Sequence, residues 1–373
     1  MLLVRRFATM KNTLIAGCLA TFALACQAEP RARVASSGNP GGGASDQVFA
    51  DGPACGDGET SCADACIDTT TDARNCGACD HACGEGACVD STCQPVAIAS
   101  GQDVPCGLAV DGVNAYWTSA SGTVSKAPIN GLHRATTLAT GQVNPCGIAV
   151  DSARVYWTNT MAIGQVMSVP INRSSRPVTL ADNQPRPFKL VLGNRAIYWT
   201  NNNSGEIMTM PATGGTPVVL ATLQASPVAI AVDTAAVYWT NAGTDTVLSK
   251  SLAGIGSVTT LADHQPGPLS LALSNGTLFW SNDGNGEVAS VPAGGGPTTV
   301  VASSLNASSV AVDGDDVYWT DEFNGTVMKA PLAGGVATVM ATDQPLPTEI
   351  AVDGVNVYWI NATVGGTVMK LAK

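Results

Sequence analysis

The chain after residue 94 carries a short pattern of apolar and polar positions that returns at regular intervals. One copy is VAIAVDTAAVYWTN at residues 228–241, and near-copies are CGLAVDGVNAYWTS, CGIAVDSARVYWTN, SVAVDGDDVYWTD and EIAVDGVNVYWIN. Short β-rich runs separated by turn residues predict strands. Alternate side chains of a strand point to opposite faces, so we expect Val237 and Trp239 to meet one neighbouring sheet, and Tyr238 and Thr240 the other.

The spacing of this pattern predicts a β-propeller. All seven Trp residues lie in it, at positions 117, 157, 199, 239, 280, 319 and 359, with intervals of 39 to 42 residues. Each unit divides into four strand-like pieces, which in the fourth unit are VAIAV, AVYWT, TVLSKSL and SVTTLA. A repeat of 40–45 residues with four strands is typical of propeller blades. The sequence therefore predicts an all-β fold with a seven-bladed propeller over residues 94–373.

The two ends of this repeat region predict how the ring closes. The last unit, EIAVD to GGTVMKLAK, stops after three strand-like pieces. The missing fourth piece resembles PVAIASGQDVP at 95–105, which matches VTTLADHQPGP at 258–268. We expect this N-terminal strand to complete the last blade, because closure leaves no open seam between blades.

The repeated phrase resembles the YWTD propellers of the low-density lipoprotein receptor family. The chain also differs from these YWTD propellers in two respects. Those propellers have six blades, whereas seven units are counted here, and the fourth motif residue is Asp only at Asp321. The resemblance implies a propeller architecture, and the differences argue against receptor-type ligands.

Twelve cysteines divide into groups with different expected roles. Eight lie in a predicted module at 55–93: Cys55, Cys62, Cys66, Cys76, Cys79, Cys83, Cys88 and Cys93. So short a segment cannot hold a core together alone and needs cross-links. These are either bound zinc or four disulfides, and an oxidising compartment favours disulfides. The segment is similar to the cysteine-rich repeat of stigma-specific plant proteins. Cys106 and Cys146 start the inner strands of blades one and two, where they form either a bridge or two buried thiols.

The N-terminus predicts export. Arg5, Arg6 and Lys11 precede the apolar run TLIAGCLATFALA, and ALAC ends at Cys26. This resembles a bacterial lipoprotein signal peptide at 1–25 with lipidation of Cys26; a secreted protein cut near Ala28 is the alternative. Residues 26–54 are rich in Gly, Ala, Ser and Pro and predict a flexible tether. Gln27 after the lipidated residue implies sorting to the outer membrane of a bacterial cell envelope.

The charge of the chain and the motifs that it lacks exclude several classes of function. The net charge of -11 leaves no basic surface for nucleic acid. The sequence has no G-x-S-x-G, H-E-x-x-H or P-loop motif, and its three histidines, His81, His133 and His264, fall in different parts of the predicted fold. The aspartates of the AVD phrase are interpreted as turn residues and not as metal ligands. We therefore predict no cofactor, no metal and no enzymatic activity.

A second repeated phrase, Gln-x-x-Pro, precedes the first strand of every blade except the sixth. Its regularity favours a structural role in which each Gln binds the adjoining blade, whereas positions that break the repeat are better candidates for a binding face. Such positions on the loop face are Asp182, Arg186, His264, Leu305, Asn306, Glu322 and Phe323.

The leading hypothesis is an exported, membrane-anchored, monomeric protein that recognises an unknown protein or glycan through this face. The alternative is a lyase or hydrolase at the channel mouth, with His264 beside Asp263. Such an enzyme would resemble the virginiamycin B lyase family of propeller enzymes.

Overall fold

The computed structural model describes residues 55–131, 134–254, 256–303 and 306–373. In this part of the chain the regular elements are all strands, and no helix is long and apolar enough to cross a membrane. The predicted signal peptide, the Cys26 lipidation site and the tether lie outside the described residues, as does Leu305.

The cysteine module is built from two small hairpins and four disulfides. Its strands are β1 (Thr60–Cys62), β2 (Ala65–Ile67), β3 (Cys88–Val89) and β4 (Thr92–Cys93). The bridges are Cys55–Cys66, Cys62–Cys79, Cys76–Cys88 and Cys83–Cys93. The predicted disulfides are therefore confirmed. The sulfurs of Cys76, Cys83 and Cys93 lie close enough to hold a metal, but each is already bonded to another sulfur.

Twenty-eight strands follow the module. The first is β5 (Val96–Asp103). Blades one to three contain β6 (Pro105–Val110), β7 (Asn114–Ser119), β8 (Thr123–Pro128), β9 (Thr136–Ala139); β10 (Pro145–Val150), β11 (Arg154–Asn159), β12 (Gly164–Pro170), β13 (Val178–Gln184); β14 (Pro187–Gly193), β15 (Ala196–Asn201), β16 (Glu206–Pro211), β17 (Val218–Ala221). Blades four to seven contain β18 (Pro227–Val232), β19 (Ala236–Asn241), β20 (Thr246–Ser251), β21 (Thr259–Ala262); β22 (Pro268–Ser274), β23 (Thr277–Asn282), β24 (Glu287–Pro292), β25 (Thr299–Ser303); β26 (Ala307–Val312), β27 (Asp316–Asp321), β28 (Thr326–Pro331), β29 (Thr338–Ala341); β30 (Pro347–Val352), β31 (Asn356–Asn361), β32 (Val364–Ala372).

These strands form seven antiparallel four-stranded sheets, which confirms the seven-bladed propeller. Six sheets use four consecutive strands, and in the seventh the order is β30-β31-β32-β5. Strand β5 pairs with β32 through Gln102 opposite Gly366 and Val96 opposite Lys370. The seventh blade thus joins two distant parts of the chain.

The YWT phrase forms the second strand of each blade and packs between neighbouring sheets. All seven Trp side chains are fully buried. Trp239 and Val237 pack with Tyr198 of blade three, whereas Tyr238 packs with Trp280 of blade five. Both faces of the strand are therefore buried, as the alternation predicts. Burial of one large aromatic per blade fills the space between sheets that diverge from the channel.

In five blades the hydroxyl that follows the Trp links the blade to the next one. Thr118 Oγ1 accepts from Gly107 N of its own blade and donates to Cys146 O of blade two, both at 2.9 Å. Thr320 repeats the link from blade six to the carbonyl of Thr348 in blade seven, at 2.8 Å. Blade seven carries the fully buried Ile360 at this position, so its seam with blade one is apolar there.

The cysteine module and the propeller belong to one compact unit of the chain. Cys76 and Cys93 share a buried cluster with Trp359 and Leu371 of blade seven. The His81 ring joins Cys76 O at 2.5 Å to Lys373 O at 2.9 Å, and Glu85 pairs with Lys370. The module therefore extends the surface of the ring at blade seven.

Candidate functional site

The aspartates of the AVD phrase serve turns, as predicted. Asp233 Oδ1 accepts from the backbone N–H of Ala235 and Ala236, both at 2.7 Å, and its Oδ2 accepts from Tyr238 Oη at 3.0 Å. Burial and the hydrogen bond to Asp233 raise the pKa of Tyr238 to about 12. The same Asp–Tyr bond occurs in blades one, two, six and seven. These carboxylates are saturated by local donors and belong to the scaffold.

The repeated glutamines also serve the scaffold, through a partner that the sequence analysis missed. Each Gln Oε1 accepts from the indole N–H of the following blade's Trp, at 2.8 to 3.2 Å in six blades. In five of them the Asn that ends the YWTN phrase donates to the same oxygen. We expected a bond to backbone of the adjoining blade, whereas the partners there are side chains. The ring of amides is therefore occupied inside the protein.

Blade six breaks this arrangement. The Gln position, fifteen residues before the Trp, is Ser304 in sequence, and the Asn position is Asp321. Trp319 is fully buried, and its Nε1 has no hydrogen-bond partner within the described residues. Asp321 instead accepts from the backbone and side chain of Asn324, both at 2.9 Å. The irregular blade thus differs from the others in its buried polar network as well as in its loop.

The loops before the first strands and after the second strands lie on one face, which we call the loop face. The guanidinium Nη1 of Arg186 donates to Asn202 Oδ1 at 3.2 Å, and the backbone N–H of Asp283 donates to Gly267 O at 3.0 Å. Residues just before the repeated Gln have left-handed backbone, and in three blades they are Leu223, His264 and Asp343. A left-handed conformation is costly for any residue with a Cβ. The loop face therefore keeps side chains at positions where glycine would be less strained.

The predicted candidates do not form one cluster. Asp182 is exposed and accepts from Gln165, and Arg186 is half-buried beside Asn202. His264 has an exposed side chain, 93% accessible, with Nδ1 at 3.4 Å from Asp263 Oδ1. Solvent around this His–Asp pair weakens any activation of the imidazole. Asn306 is half-buried before the first strand of blade six.

Glu322 and its neighbour Phe323 lie at the mouth of the central channel. Glu322 interacts there with Asp283 of blade five and Ser308 of blade six. Burial raises the pKa of Glu322 above its usual range, and the negative charge of Asp283 raises it further, while a hydrogen bond with Ser308 opposes the rise. Ser308 lines the channel. Phe323, next to Glu322, is 79% exposed. Glu322 thus interacts with a second carboxyl group and a hydroxyl where blade six departs from the repeat, and an exposed aromatic residue follows it in the same loop.

The channel itself encloses a cavity of about 340 Å³ lined by the first strands of all seven blades. Most of its lining side chains are apolar or small. Lys189 of blade three and Glu349 of blade seven form an ion pair within it. Each of these side chains is 23% exposed, so the pair is only partly desolvated.

Sequence reasoning missed Lys189 and Glu349, although an alignment of the repeats carries a signal. They hold the third position of PFK and PTE, where the other blades read PCG, PCG, PVA, PLS and ASS. A bulge or register shift follows the start of each first strand, as at Pro187 and Pro347. Bulges re-aim side chains, so a change from small to charged at this position places charge in the channel.

Cys106 and Cys146 form a disulfide between the first strands of blades one and two, with Cα atoms 5.1 Å apart. The blades approach so closely that a Cβ on Gly107 would lie 2.0 Å from Cys146 O. This bridge joins the two blades that lie between blade seven and blade three in the ring.

No protein-family model matches the chain, and no curated protein matches it by sequence. Among solved structures it is similar to virginiamycin B lyase from Staphylococcus aureus, with 16% identity, a TM-score of 0.65, and coverage of 75% of this chain and 98% of that one. A streptogramin B lyase matches with 15% identity, a TM-score of 0.62 and coverage of 74% and 96%. A nidogen–laminin complex matches with 21% identity, a TM-score of 0.48 and coverage of 57% and 87%.

These comparisons correct one prediction. The expectation that the protein is not an enzyme is wrong, because the solved structures that share its propeller over nearly their whole length include lyases. The prediction rested on the absence of a familiar catalytic motif, with a lyase or hydrolase kept as the alternative, but a propeller can carry a site whose residues are scattered over several blades. At 15–16% identity the likeness shows the shared propeller fold.

Proposed function

We propose that this protein recognises a glycan on its loop face, at the channel mouth between blades five and six. The observation that carries the proposal is Phe323, an aromatic residue 79% exposed that follows Glu322 in sequence, while Glu322 itself interacts with Asp283. A flat ring offers an apolar face to the C–H groups of a sugar, and carboxyl groups accept from its hydroxyls. A protein interface would favour a larger dry cluster of aromatic residues.

The test is binding of the full chain to a glycan array, followed by titration of the glycans that bind. We expect Phe323→Ala to weaken binding at least tenfold, because the ring supplies the contact area. Val364→Ala is the matched control, since Val364 is an exposed apolar residue at the start of β32, directly after the equivalent loop of blade seven. Equal affinity of Phe323→Ala and the wild type would contradict the proposal, as would capture of proteins with no glycan bound.

A second candidate function is acid–base catalysis on such a ligand, of the lyase or hydrolase type. The observation that favours it is the pairing of Glu322, whose pKa is raised by burial and by Asp283, with the exposed carboxylate of Asp283. A carboxyl group with a raised pKa can act as a general acid beside a second carboxyl group. The resemblance to lyases adds support from the fold.

Turnover of any glycan that binds would test this second function. Glu322→Gln is expected to abolish turnover and leave binding within a few fold. Asp283→Asn removes the charge that raises the pKa of Glu322, so the limb of the pH–rate profile that reports Glu322 should move to lower pH. His264→Ala serves as the comparison, since full loss of turnover there would assign the chemistry to the exposed His–Asp pair.

We also propose that the protein is exported, anchored by lipid at Cys26 and monomeric in a bacterial cell envelope. The support is the sequence around ALAC and the run that precedes it. Metabolic labelling with a palmitate analogue should tag the wild type and not Cys26→Ala. Labelling of neither protein would argue for the alternative of a secreted soluble protein.

A further inference from the structure

The third position of the seven first strands forms a ring around the channel, and only two of its members are charged. The ring consists of Gly107, Gly147, Lys189, Ala229, Ser270, Ser309 and Glu349. Blades three and seven are separated by three blades on one side of the ring and by two on the other. The Lys189–Glu349 ion pair therefore spans the channel instead of joining adjacent sheets.

The blade repeat does not require this pair. Five blades fold with Gly, Ala or Ser at the same position, and their backbone makes the same link: Ala229 N donates to Thr240 Oγ1 and Lys189 N to Thr200 Oγ1. Taking a lysine and a glutamate out of water carries a desolvation cost that their attraction offsets only in part. The charges are thus an addition to the scaffold, and stability alone gives no reason for them.

The surroundings of the pair suit a small polar guest. The cavity of about 340 Å³ falls in the lower range of small-molecule sites. Ser270, Ser309 and Thr348 line it together with Lys189 and Glu349. Ser270 Oγ accepts from Val310 N at 3.0 Å, whereas Thr348 Oγ1 has no hydrogen-bond partner within the described residues. Both charged side chains keep 23% exposure, so they can be reached from the cavity.

We infer that the ion pair marks a binding site for a small zwitterion of the amino-acid class. The carboxylate of such a guest takes the place of Glu349 beside Lys189, and its ammonium group takes the place of Lys189 beside Glu349. Each protein charge then exchanges one opposite charge for another, and no buried charge is left unpaired. A guest with only one of the two charges would leave one protein group unpaired in the channel, which disfavours it.

The experiment is calorimetric titration and thermal unfolding of the full chain with glycine, L-alanine, L-serine and L-valine. N-acetyl-L-alanine and L-alanine methyl ester serve as probes that each lack one charge. We expect at least one zwitterion to bind and to raise Tm by about 3 °C or more at a hundredfold excess over Kd. Both blocked probes should bind at least tenfold more weakly.

A double variant, Lys189→Ala with Glu349→Ser, carries the residues that blades four and six use at this position and is therefore expected to fold. It should lose zwitterion binding while Phe323→Ala keeps it, which separates this site from the glycan site. The inference is overturned if no zwitterion binds the wild type, if the blocked probes bind equally well, or if the folded double variant binds as tightly as the wild type.

Discussion

At the residue scale, the seven buried tryptophans differ in one hydrogen bond. Six indole N–H groups donate to a glutamine of the preceding blade, whereas Trp319 Nε1 has no partner within the described residues. A buried donor without an acceptor carries the cost of desolvation and gains no hydrogen bond in return. Blade six therefore carries an internal cost that the other blades avoid, at the place where the loop face is irregular.

Comparison of two substitutions measures this cost. Trp280→Phe removes a donor that Gln265 accepts, and Trp319→Phe removes one that is unpaired. Both lose the same ring volume, so we expect Trp319→Phe to reduce the free energy of unfolding by about 1 kcal/mol less than Trp280→Phe. Urea denaturation of both variants checks this. Equal losses would mean that Trp319 Nε1 is satisfied in solution.

The left-handed residue Leu223 offers a second prediction. Its φ is 60°, and φ is 54–57° at the other non-glycine residues before the repeated Gln. Its side chain is 94% exposed. Leu223→Gly should raise the free energy of unfolding by about 0.5–1 kcal/mol, because glycine adopts this conformation without the Cβ strain. Leu223→Ala is the control: it removes the same side chain, keeps the Cβ and should bring no gain.

At the scale of the element, each blade is held by a turn and a buried second strand, and five blades add a hydroxyl link to the next blade. In five blades the turn aspartate accepts from the tyrosine of that second strand. Blade five replaces both partners together, with Phe279 in the Tyr position and the Ser274–Thr277 turn in place of the aspartate turn. Blade three, by contrast, keeps its tyrosine, Tyr198, without a turn aspartate, so the turn and the strand change together only in blade five.

The Asp–Tyr bond predicts how stability depends on alkaline pH. Burial and the hydrogen bonds to the turn aspartates raise the pKa of Tyr156 and of Tyr238 to about 12. A folded pKa above the unfolded value of about 10 means that this stability is complete below pH 10 and is lost as pH rises toward 12. Unfolding measured between pH 8 and 12 should show this decline, and it should be shallower in Tyr238→Phe.

The control for that variant is Tyr198→Phe, in a blade whose turn carries Gly193 and Asn194 instead of an aspartate. At pH 7 we expect Tyr198→Phe to cost less than Tyr238→Phe, which loses about 1 kcal/mol with its charged acceptor bond. Larger losses in Tyr198→Phe would contradict the assignment of the Asp–Tyr bond as a shared support of the blades.

The sequence predicted these elements well because each blade buries the same faces. The Trp spacing and the alternation in VYWT suffice to place the strands, and the AVD aspartates act in turns as their positions indicate. The channel pair could not be predicted in the same way, because Lys189 and Glu349 are 160 residues apart and meet only through the curvature of the whole ring. The adjoining blade was the expected partner of each Gln, but the choice of the Trp side chain over backbone depends on the packing between blades, which the repeat pattern does not show.

At the scale of the whole molecule, the ring is completed by β5, which pairs with β32 in blade seven. The cysteine module precedes this strand and contacts the last residues of the chain through His81 and Glu85. Blade seven also lacks the Thr link to blade one, where Ile360 is buried instead. Its integrity therefore depends on the pairing of β5 and on the module beside it.

Two shortened chains test this dependence. A chain that begins at Gln94 keeps β5, whereas one that begins at Val104 removes it. We expect the first to unfold cooperatively at a Tm below that of the full chain, since it lacks the contacts from His81 and Glu85. The second should bind a hydrophobic dye and lose cooperative unfolding, because blade seven is left with an open edge. A cooperative transition in the second chain would show that three strands suffice.

The shared blade also sets how the molecule responds to mechanical force. A pull that enters from the N-terminal side must pass through the disulfide-bonded module, whose bridges limit its extension, before it reaches Val96. Strand β5 is then the first strand of the ring to bear the tension, and its detachment would open the ring at blade seven. The other six sheets, each made of consecutive strands, would keep their strand pairing while the ring opens.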